Sequence, residues 1–386
     1  MKTIYLDHAA TTATDPQVID AMLPYFHENF GNPSSIYSIS RITRNAIENA
    51  RTILADSIGA DPKEIVFTSS GSESDNFAIK GIAQALKDKG NHIITSQIEH
   101  HAVLYTCKYL EKNGYEVTYL PVDNDGIVKL DELEKAIRPD TILITIMHAN
   151  NEIGAIQPIQ QIGEIARKHG VKFHTDAVQT FGHIPVNVDE LNVDLLSISG
   201  HKFYGPKGVG VLYIRKGSKL TPLIHGGDQE RRRRASTENV PGIVGFGKAV
   251  ELALDIMENE AQRQSQLRDE FIQTILNSIP DSRLNGHPTK RLPNNINISF
   301  EGIEGESILL NLDMYGIAAS TGSACSSSSL EPSHVLLSIG LTHEFTHGSV
   351  RFSLGKHTSQ EELNQVAEIL PDIIKKLRAM SPLYNK

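Results

Sequence analysis

The chain has 386 residues, 39% of them hydrophobic and 22% charged, with 37 Lys and Arg against 46 Asp and Glu for a formal charge of −9. This is ordinary globular composition and excludes wholesale disorder. The acidic balance makes the chain a poor general binder of nucleic acid, whose phosphates call for basic surface. At about 150 residues per domain the length predicts two to three domains, with enough apolar content to form a core without disulfides. Only two cysteines occur, Cys107 and Cys325. They make no metal-knuckle or CxxC spacing, and such sparse use suits a reducing compartment. No apolar run follows Met1-Lys2-Thr3-Ile4-Tyr5, and no stretch nears the roughly 18 apolar residues of a membrane helix. The expectation is a cytoplasmic protein that makes no use of a membrane.

In chain order, Ile65 to Phe67 reads as a strand and Ser74 to Lys87 as a helix. Further short strands are expected at His92 to Thr95, Glu116 to Leu120, Ile142 to Met147, Lys172 to Thr175, Leu195 to Ser199 and Gly210 to Ile214. Amphipathic helices fall between several of them, at His101 to Asn113, Leu130 to Ile137 and Ile159 to His169. Such alternation predicts crossover connections and a mainly parallel sheet. Ligands of these sheets bind beyond the carboxyl ends of the strands. After about residue 240 the pattern changes to a long helix, Ile243 to Ile279, then a strand at Asn294 to Phe300, a helix at Gly305 to Met314, a strand at Ser349 to Leu354 and a helix at Glu361 to Met380 with Pro371 placed to kink it. This second part reads as a smaller α+β domain. No internal repeat is present. The only low-complexity pieces are Arg231 to Arg234 and Ser326 to Ser329.

Three strand ends carry candidate chemistry. Phe67-Thr68-Ser69-Ser70-Gly71-Ser72-Glu73-Ser74 is a small polar turn before a helix, and N–H groups at a helix start bind phosphate. It is not a Walker loop, because no Gly-Lys-Ser/Thr follows. Phe173-His174-Thr175-Asp176-Ala177-Val178-Gln179 ends a strand in a carboxylate. Asp176 either caps the next helix or faces the ring nitrogen of a pyridine cofactor, which needs such a partner to act as an electron sink. Ser197-Ile198-Ser199-Gly200-His201-Lys202-Phe203-Tyr204-Gly205-Pro206-Lys207-Gly208 places a lysine after a strand among small and basic residues. Lys202 is either a solvated surface lysine or a Schiff-base amine whose proton is loosened by neighbouring cations. A carboxylate, a lysine and a phosphate cradle are together the parts of a pyridoxal-phosphate site. Cys325, in Ser320-Thr321-Gly322-Ser323-Ala324-Cys325-Ser326-Ser327-Ser328-Ser329, is expected in an exposed, mobile loop, either as an idle thiol or as a nucleophilic one. Cys107, among Val103-Leu104-Tyr105-Thr106-Cys107-Lys108-Tyr109-Leu110, reads as a helix-packing residue.

Those segments, with Tyr5-Leu6-Asp7-His8-Ala9-Ala10-Thr11-Thr12, Asn32-Pro33-Ser34-Ser35 and His148-Ala149-Asn150-Asn151-Glu152-Ile153-Gly154, resemble the NifS/IscS class of cysteine desulfurases. The resemblance runs from about residue 3 to residue 375. It implies the aspartate-aminotransferase type of fold (PLP fold type I), a homodimer, pyridoxal 5'-phosphate as cofactor, and conversion of L-cysteine to L-alanine with sulfur left on an enzyme cysteine. It implies a large cofactor-binding domain at 15–259 and a smaller domain from 1–14 and 260–386. By the same resemblance Lys202 is the Schiff-base lysine, Asp176 faces the ring nitrogen and Gln179 the ring hydroxyl. Gly71, Ser72, Ser199 and His201 hold the phosphate, with Thr237 reaching in from a partner subunit. His100 stacks on the ring and moves protons, Asn151 and Arg351 orient the substrate, and Arg351 grips its carboxylate. Cys325 accepts the sulfur as a persulfide for an iron–sulfur scaffold or another acceptor, and is a transient cluster ligand only with such a partner; no intrinsic metal is expected. An aminotransferase, a selenocysteine lyase and a catalytically silent scaffold are the alternative readings of the same residues.

Two segments stand apart. His343-Glu344-Phe345-Thr346-His347 matches the zinc-peptidase pattern HExxH, which works only on a helix presenting both histidines on one face. Gly348 and a strand follow at once, leaving no room for that helix to extend. In Gly226-Gly227-Asp228-Gln229-Glu230-Arg231-Arg232-Arg233-Arg234-Ala235-Ser236-Thr237-Glu238-Asn239, Arg232 and Ser236 stand where the family pattern usually has glycine, which puts the backbone conformation of the loop in question. The arginine run is either a solvated rim or a contact for an anionic partner.

Overall fold

A computed structural model of the chain describes residues 3–321 and 332–384. Twelve strands are present among these residues: β1 (Ile4–Tyr5), β2 (Ile65–Thr68), β3 (His92–Ser96), β4 (Glu116–Leu120), β5 (Thr141–Thr145), β6 (Lys172–Asp176), β7 (Leu195–Ser199), β8 (Gly210–Ile214), β9 (Ser282–Leu284), β10 (Asn295–Phe300), β11 (Ile317–Ala318) and β12 (Ser349–Ser353). Seven of them form one sheet in the order β2-β8-β7-β6-β5-β3-β4. All run parallel except β8, which is antiparallel to both of its neighbours. The expected mainly parallel sheet is therefore present, and its strand positions match the apolar runs to within two residues.

Helices cover both faces, so that β2, β3, β5, β7 and β8 are buried at every residue. Successive residues alternate between two cores, following the two-residue period of a strand. Phe67, Ile94, Ile144, Leu196 and Tyr213 point to one core, shared with the helices Ser38–Ile58, Ile159–His169 and the start of Val240–Ser278. Val66, Ile93, Leu143, Leu195 and Leu212 point to the other, shared with the helices Gly71–Ala85 and His101–Glu111. Cys107 is fully buried in this second core, and burial pushes its thiol well up from the ordinary range. It is a packing residue, as expected.

A third core is built on the antiparallel sheet β12-β10-β9. It gathers Ile4, Leu6, Ile296, Ile298, Phe300, Val350 and Phe352 with Leu267, Phe271 and Ile275 of the long helix and Leu363, Leu370 and Ile373 of the last one. The helix Val240–Ser278 thus begins on the first core and ends on the third. Its 39 residues make a strut of about 58 Å. The last helix, Gln360–Met380, passes through Pro371 as a single helix. A proline removes one N–H from the ladder, and the buried Leu370, Ile373 and Ile374 hold the turn on either side of it. Among the described residues no helix is long and apolar enough to cross a membrane.

Candidate active site

The carboxyl ends of β2, β3, β5, β6 and β7 open on one cavity of about 350 Å³. Ten of the residues singled out in the sequence line it: Gly71, Ser72, His100, Asn151, Asp176, Gln179, Ser199, His201, Lys202 and Arg351. Ala9, Ala10, Asp75, Glu99, His101, Glu152 and His334 line it as well. None of these seven was assigned a role. Ala9 and Ala10 lie inside a quoted motif but offer only carbonyls, and buried acids carry no local sequence signal of burial.

Lys202 ends a short turn, Gly200–Lys202, directly after β7. Its Nζ donates to the carbonyls of Ala9 at 2.6 Å and Ala10 at 2.7 Å. The N-terminal segment is thereby drawn across the floor, and Gln179 Nε2 ties it further, donating to Ala9 O at 3.0 Å. Tyr204, two residues on, holds a left-handed φ of +66°, a conformation costly for a residue with a Cβ. Two bonds hold it there. Its N–H donates to Thr12 Oγ1 at 2.8 Å, and its hydroxyl accepts from the Lys356 N–H at 2.7 Å.

Asp176 ends β6 and accepts from the Val178 N–H at 2.8 Å. Burial raises its carboxyl to about 6, partly offset by that bond and by the Lys202 ammonium. The nearby Lys202 ammonium favours its anionic form. His100 is the N-cap of the helix His101–Glu111, and its Nδ1 accepts from the Ala102 N–H at 3.1 Å. A neutral His100 therefore carries its proton on Nε2. Burial first, then the Lys202 charge, lowers its pKa to about 4. Neutralising Lys202 removes the second cause and makes His100 more basic. His201 is likewise lowered to about 4, by burial and then by Lys202 and Lys207, and its Nδ1 lies 3.1 Å from Thr11 Oγ1.

The helix Gly71–Ala85 starts at the cavity, with Ser70 as N-cap accepting from the Glu73 N–H at 3.1 Å. The expected helix start at Ser74 is one turn late, because Gly71-Ser72-Glu73 already form its first turn. A Cβ on Gly71 would sit 2.7 Å from Val178 Cγ2. Only glycine lets this turn close on the β6 turn and leave the cradle open.

Arg351, on β12, is 2% exposed despite its charge. Nη1 donates to Asn151 O at 2.9 Å and Nη2 to Asp7 Oδ1 at 2.8 Å, while Nε is buried without a partner among the described residues. A buried guanidinium with a donor to spare is suited to gripping a carboxylate. Arg351 also makes a backbone bridge to Ser320, the start of the cysteine-bearing stretch. Cys325 itself lies outside the described residues.

Thr237 is exposed and does not line the cavity. The neighbouring arginines are accounted for within the chain: Arg231 by Glu48 and Pro62 O, Arg232 by Asp228, Arg233 by Lys63 O and Arg234 by Glu73. His343–His347 forms a single helical turn that stops at Gly348, and no group of three His, Cys, Asp or Glu able to hold a metal occurs among the described residues.

The residues present fit a pyridoxal-phosphate group. A cradle that a Cβ would fill, a lysine amine, a buried carboxylate and a guanidinium with an unmatched donor meet in one cavity. Fold and site define an α/β enzyme of PLP fold type I. Residues 4–366 match the family described as Aminotransferase class-V. The protein named Cysteine desulfurase IscS from Methanosarcina thermophila is 61% identical over 385 residues, covering 100% of this chain and 95% of that one. A solved structure described as NIFS-LIKE PROTEIN superposes with a TM-score of 0.92 at 40% identity, covering 97% of this chain and 100% of that one. SspA in complex with cysteine gives 0.83 at 42% identity, covering 92% and 100%. The chain belongs to the class-V aminotransferase family, in its NifS/IscS cysteine desulfurase class.

Proposed function

We propose that this protein is a pyridoxal-phosphate cysteine desulfurase that converts L-cysteine to L-alanine and passes the sulfur to an iron–sulfur scaffold or another acceptor. The observation that carries the reading is the convergence of Lys202, Asp176, His100 and Arg351 on a single cavity. Lys202 would hold the cofactor covalently, with Asp176 at its ring nitrogen, Gln179 at its hydroxyl, and Gly71, Ser72, Ser199 and His201 around its phosphate. Bound there, the cofactor supplies an electron-withdrawing ring that makes a substrate's α-proton removable.

The chain's own groups do the rest. Arg351 and Asn151 fix the amino acid by its carboxylate, so that its α-carbon and sulfur take one orientation. His100, neutral and beside Lys202, exchanges protons over the floor. The Cys325 thiolate attacks the substrate sulfur. An S–S bond forms as the C–S bond breaks, the carbon keeps that bond's electron pair and takes up a proton, and the skeleton leaves as alanine. Thr237, exposed at the rim, completes the phosphate contacts of a second subunit in a homodimer. The domain division at residues 259 and 260, within the long helix, keeps the cofactor groups on one unit and Arg351 and Cys325 on the other.

Purified protein is assayed for alanine from L-cysteine and, by mass spectrometry, for one added sulfur. The wild type shows both. Cys325→Ser still responds spectrally to cysteine but gains no sulfur and makes almost no alanine, while Cys107→Ser behaves as wild type. Sulfur found on Cys107, or full alanine production by Cys325→Ser, refutes the assignment.

A further inference from the structure

Behind Asp176 lies a second carboxyl that the chemistry above leaves unused. Asp75, on the helix Gly71–Ala85, lines the same cavity and is 1% exposed. Its Oδ1 is buried with no hydrogen-bond partner among the described residues and lies 3.7 Å from His174 Nε2. The Ser197 hydroxyl faces the same carboxyl. Ser197 Oγ is 3.0 Å from His174 Nε2, and Thr145 Oγ1 is 2.8 Å from His174 Nδ1. His174, Ser197 and Thr145 are completely buried. Asp75, Ser197, His174 and Thr145 thus form a closed polar chain across the helix and strands β7, β6 and β5.

We propose that Asp75 is a positioning residue for Asp176: it keeps its proton in the folded protein and anchors this closed chain, leaving Asp176 as the carboxyl that ionises on the cavity floor. The proposal deepens, and rests on, the reading of Asp176 as the group that meets the cofactor's ring nitrogen.

A neutral imidazole has one N–H, so the chain can run in only two directions. With Asp75 protonated, its O–H donates to Ser197, Ser197 donates to His174 Nε2, and His174 Nδ1–H donates to Thr145. With Asp75 ionised, every bond reverses. The unpartnered Oδ1 decides between them. A buried anionic oxygen with no donor costs far more than the unpaired carbonyl oxygen of a neutral acid. The charged and titratable groups facing Asp75 point the same way: Asp176 on β6 and Glu99 after β3 are both acids, and His174 is held neutral, lowered to about 3 by burial. The His174 contact is therefore not an ion pair. Burial and these two acids push the Asp75 carboxyl well above the usual carboxylate range, and the Ser197 hydrogen bond, which works the other way, does not offset them.

Infrared spectroscopy of the wild-type protein at neutral pH should show the carbonyl stretch of protonated carboxylic acids. Asp75→Asn should delete one component and Glu99→Gln another. Nitrogen-15 spectra of histidine-labelled wild type should show His174 as the Nδ1–H tautomer, a measurement independent of any variant's folding. Asp75→Ala should weaken pyridoxal-phosphate binding roughly tenfold, as for loss of one end of a buried hydrogen-bonded chain, and Asp75→Asn, a neutral substitute of the same shape, should restore it. An acid band untouched by Asp75→Asn, an Nε2–H tautomer, or cofactor binding indifferent to Asp75→Ala overturns the proposal. Asp176→Ala tests the underlying reading separately. Unchanged cofactor binding and spectrum in that variant would refute the role of Asp176, while the infrared and nitrogen results still report on Asp75.

Discussion

The floor of the cavity and the arginine-rich rim loop that lies outside it are built by opposite means. On the floor, Asp176, Ser199 and Lys202 sit at or just beyond strand ends, and the parallel sheet sets their spacing. On the rim, Glu230, Arg231, Arg232 and Ser236 all hold left-handed backbone, with φ of 45°, 56°, 66° and 109°. No local preference produces that run, since such φ values are costly for residues with a Cβ. Long-range charge pairs impose it. Arg51 grips both oxygens of Glu230 at 2.7 and 2.9 Å, Glu230 also accepts from the Phe67 N–H at 3.0 Å, and Arg234 pairs with Glu73 at 2.9 Å. A floor specified by nearby sequence and a rim specified by distant partners should fail in different ways.

The largest effect belongs to the floor. Lys202→Ala should abolish the visible absorbance of the cofactor-loaded protein and leave its near-ultraviolet circular dichroism intact, because the strands that set the floor are untouched. A normal visible band after cofactor addition would place the covalent attachment elsewhere.

The rim should fail through stability instead. Arg51 and Glu230 side chains are 4% and 3% exposed, and removing one partner of a buried pair costs about 3–5 kcal/mol. Glu230→Ala also strands the Phe67 N–H at the start of the phosphate turn. Urea unfolding should show a loss of that size. A loss below about 1 kcal/mol, the range of an exposed pair, would show that the pair does not hold the loop.

The same contrast explains what the sequence made legible. Sheet order aside, the strands and the helices between β2 and β8 could be read from apolar runs and small-residue turns, and seven of the ten cavity residues lay in the three strand-end segments, while His100, Asn151 and Arg351 were named only by the family resemblance. The N-terminal helices Pro16–Met22 and Ser38–Ile58 were not read, and neither was the short strand β9. The acids Asp75, Glu99 and Glu152 escaped notice because their roles depend on burial created by elements far apart in sequence. The departure from glycine at Arg232 and Ser236 did mark an unusual backbone. It did not reveal that Arg51, some 180 positions away, holds it.

Glu99 sharpens the comparison through pH. It is completely enclosed, accepting from Ser96 Oγ at 2.6 Å and from the Met147 N–H at 3.1 Å, and burial raises its carboxyl from the ordinary 4.5 to about 8. Between those values the folded chain holds a proton that the unfolded chain has lost, so this group's contribution to stability falls as pH rises. Glu99→Gln removes that dependence. Its melting temperature relative to wild type should therefore climb from about pH 5 to about pH 8. A difference that shrinks with pH would mean that Glu99 is ionised in the fold.

The smallest effect tests the rim backbone itself. Arg232 has φ +66° and pairs with Asp228 at 3.0 Å, with the two side chains 79% and 74% exposed. That pair is worth roughly 0–1 kcal/mol. Relief of left-handed strain favours glycine by about 1–2 kcal/mol, while the looser unfolded chain opposes it by about 0.5–1 kcal/mol. Arg232→Gly should thus be close to neutral, between a loss of about 1 and a gain of about 1.5 kcal/mol. Arg233 supplies the control one residue on, with an ordinary φ of −93°. Arg233→Gly gains no relief, loses the bond to Lys63 O at 3.0 Å, and should destabilise by about 1 kcal/mol. The informative quantity is the difference between the two variants, because it cancels the effect of glycine on the unfolded chain. Equal losses in urea melts would show that the left-handed run carries no strain, and that the rim is fixed by its own sequence as the floor is.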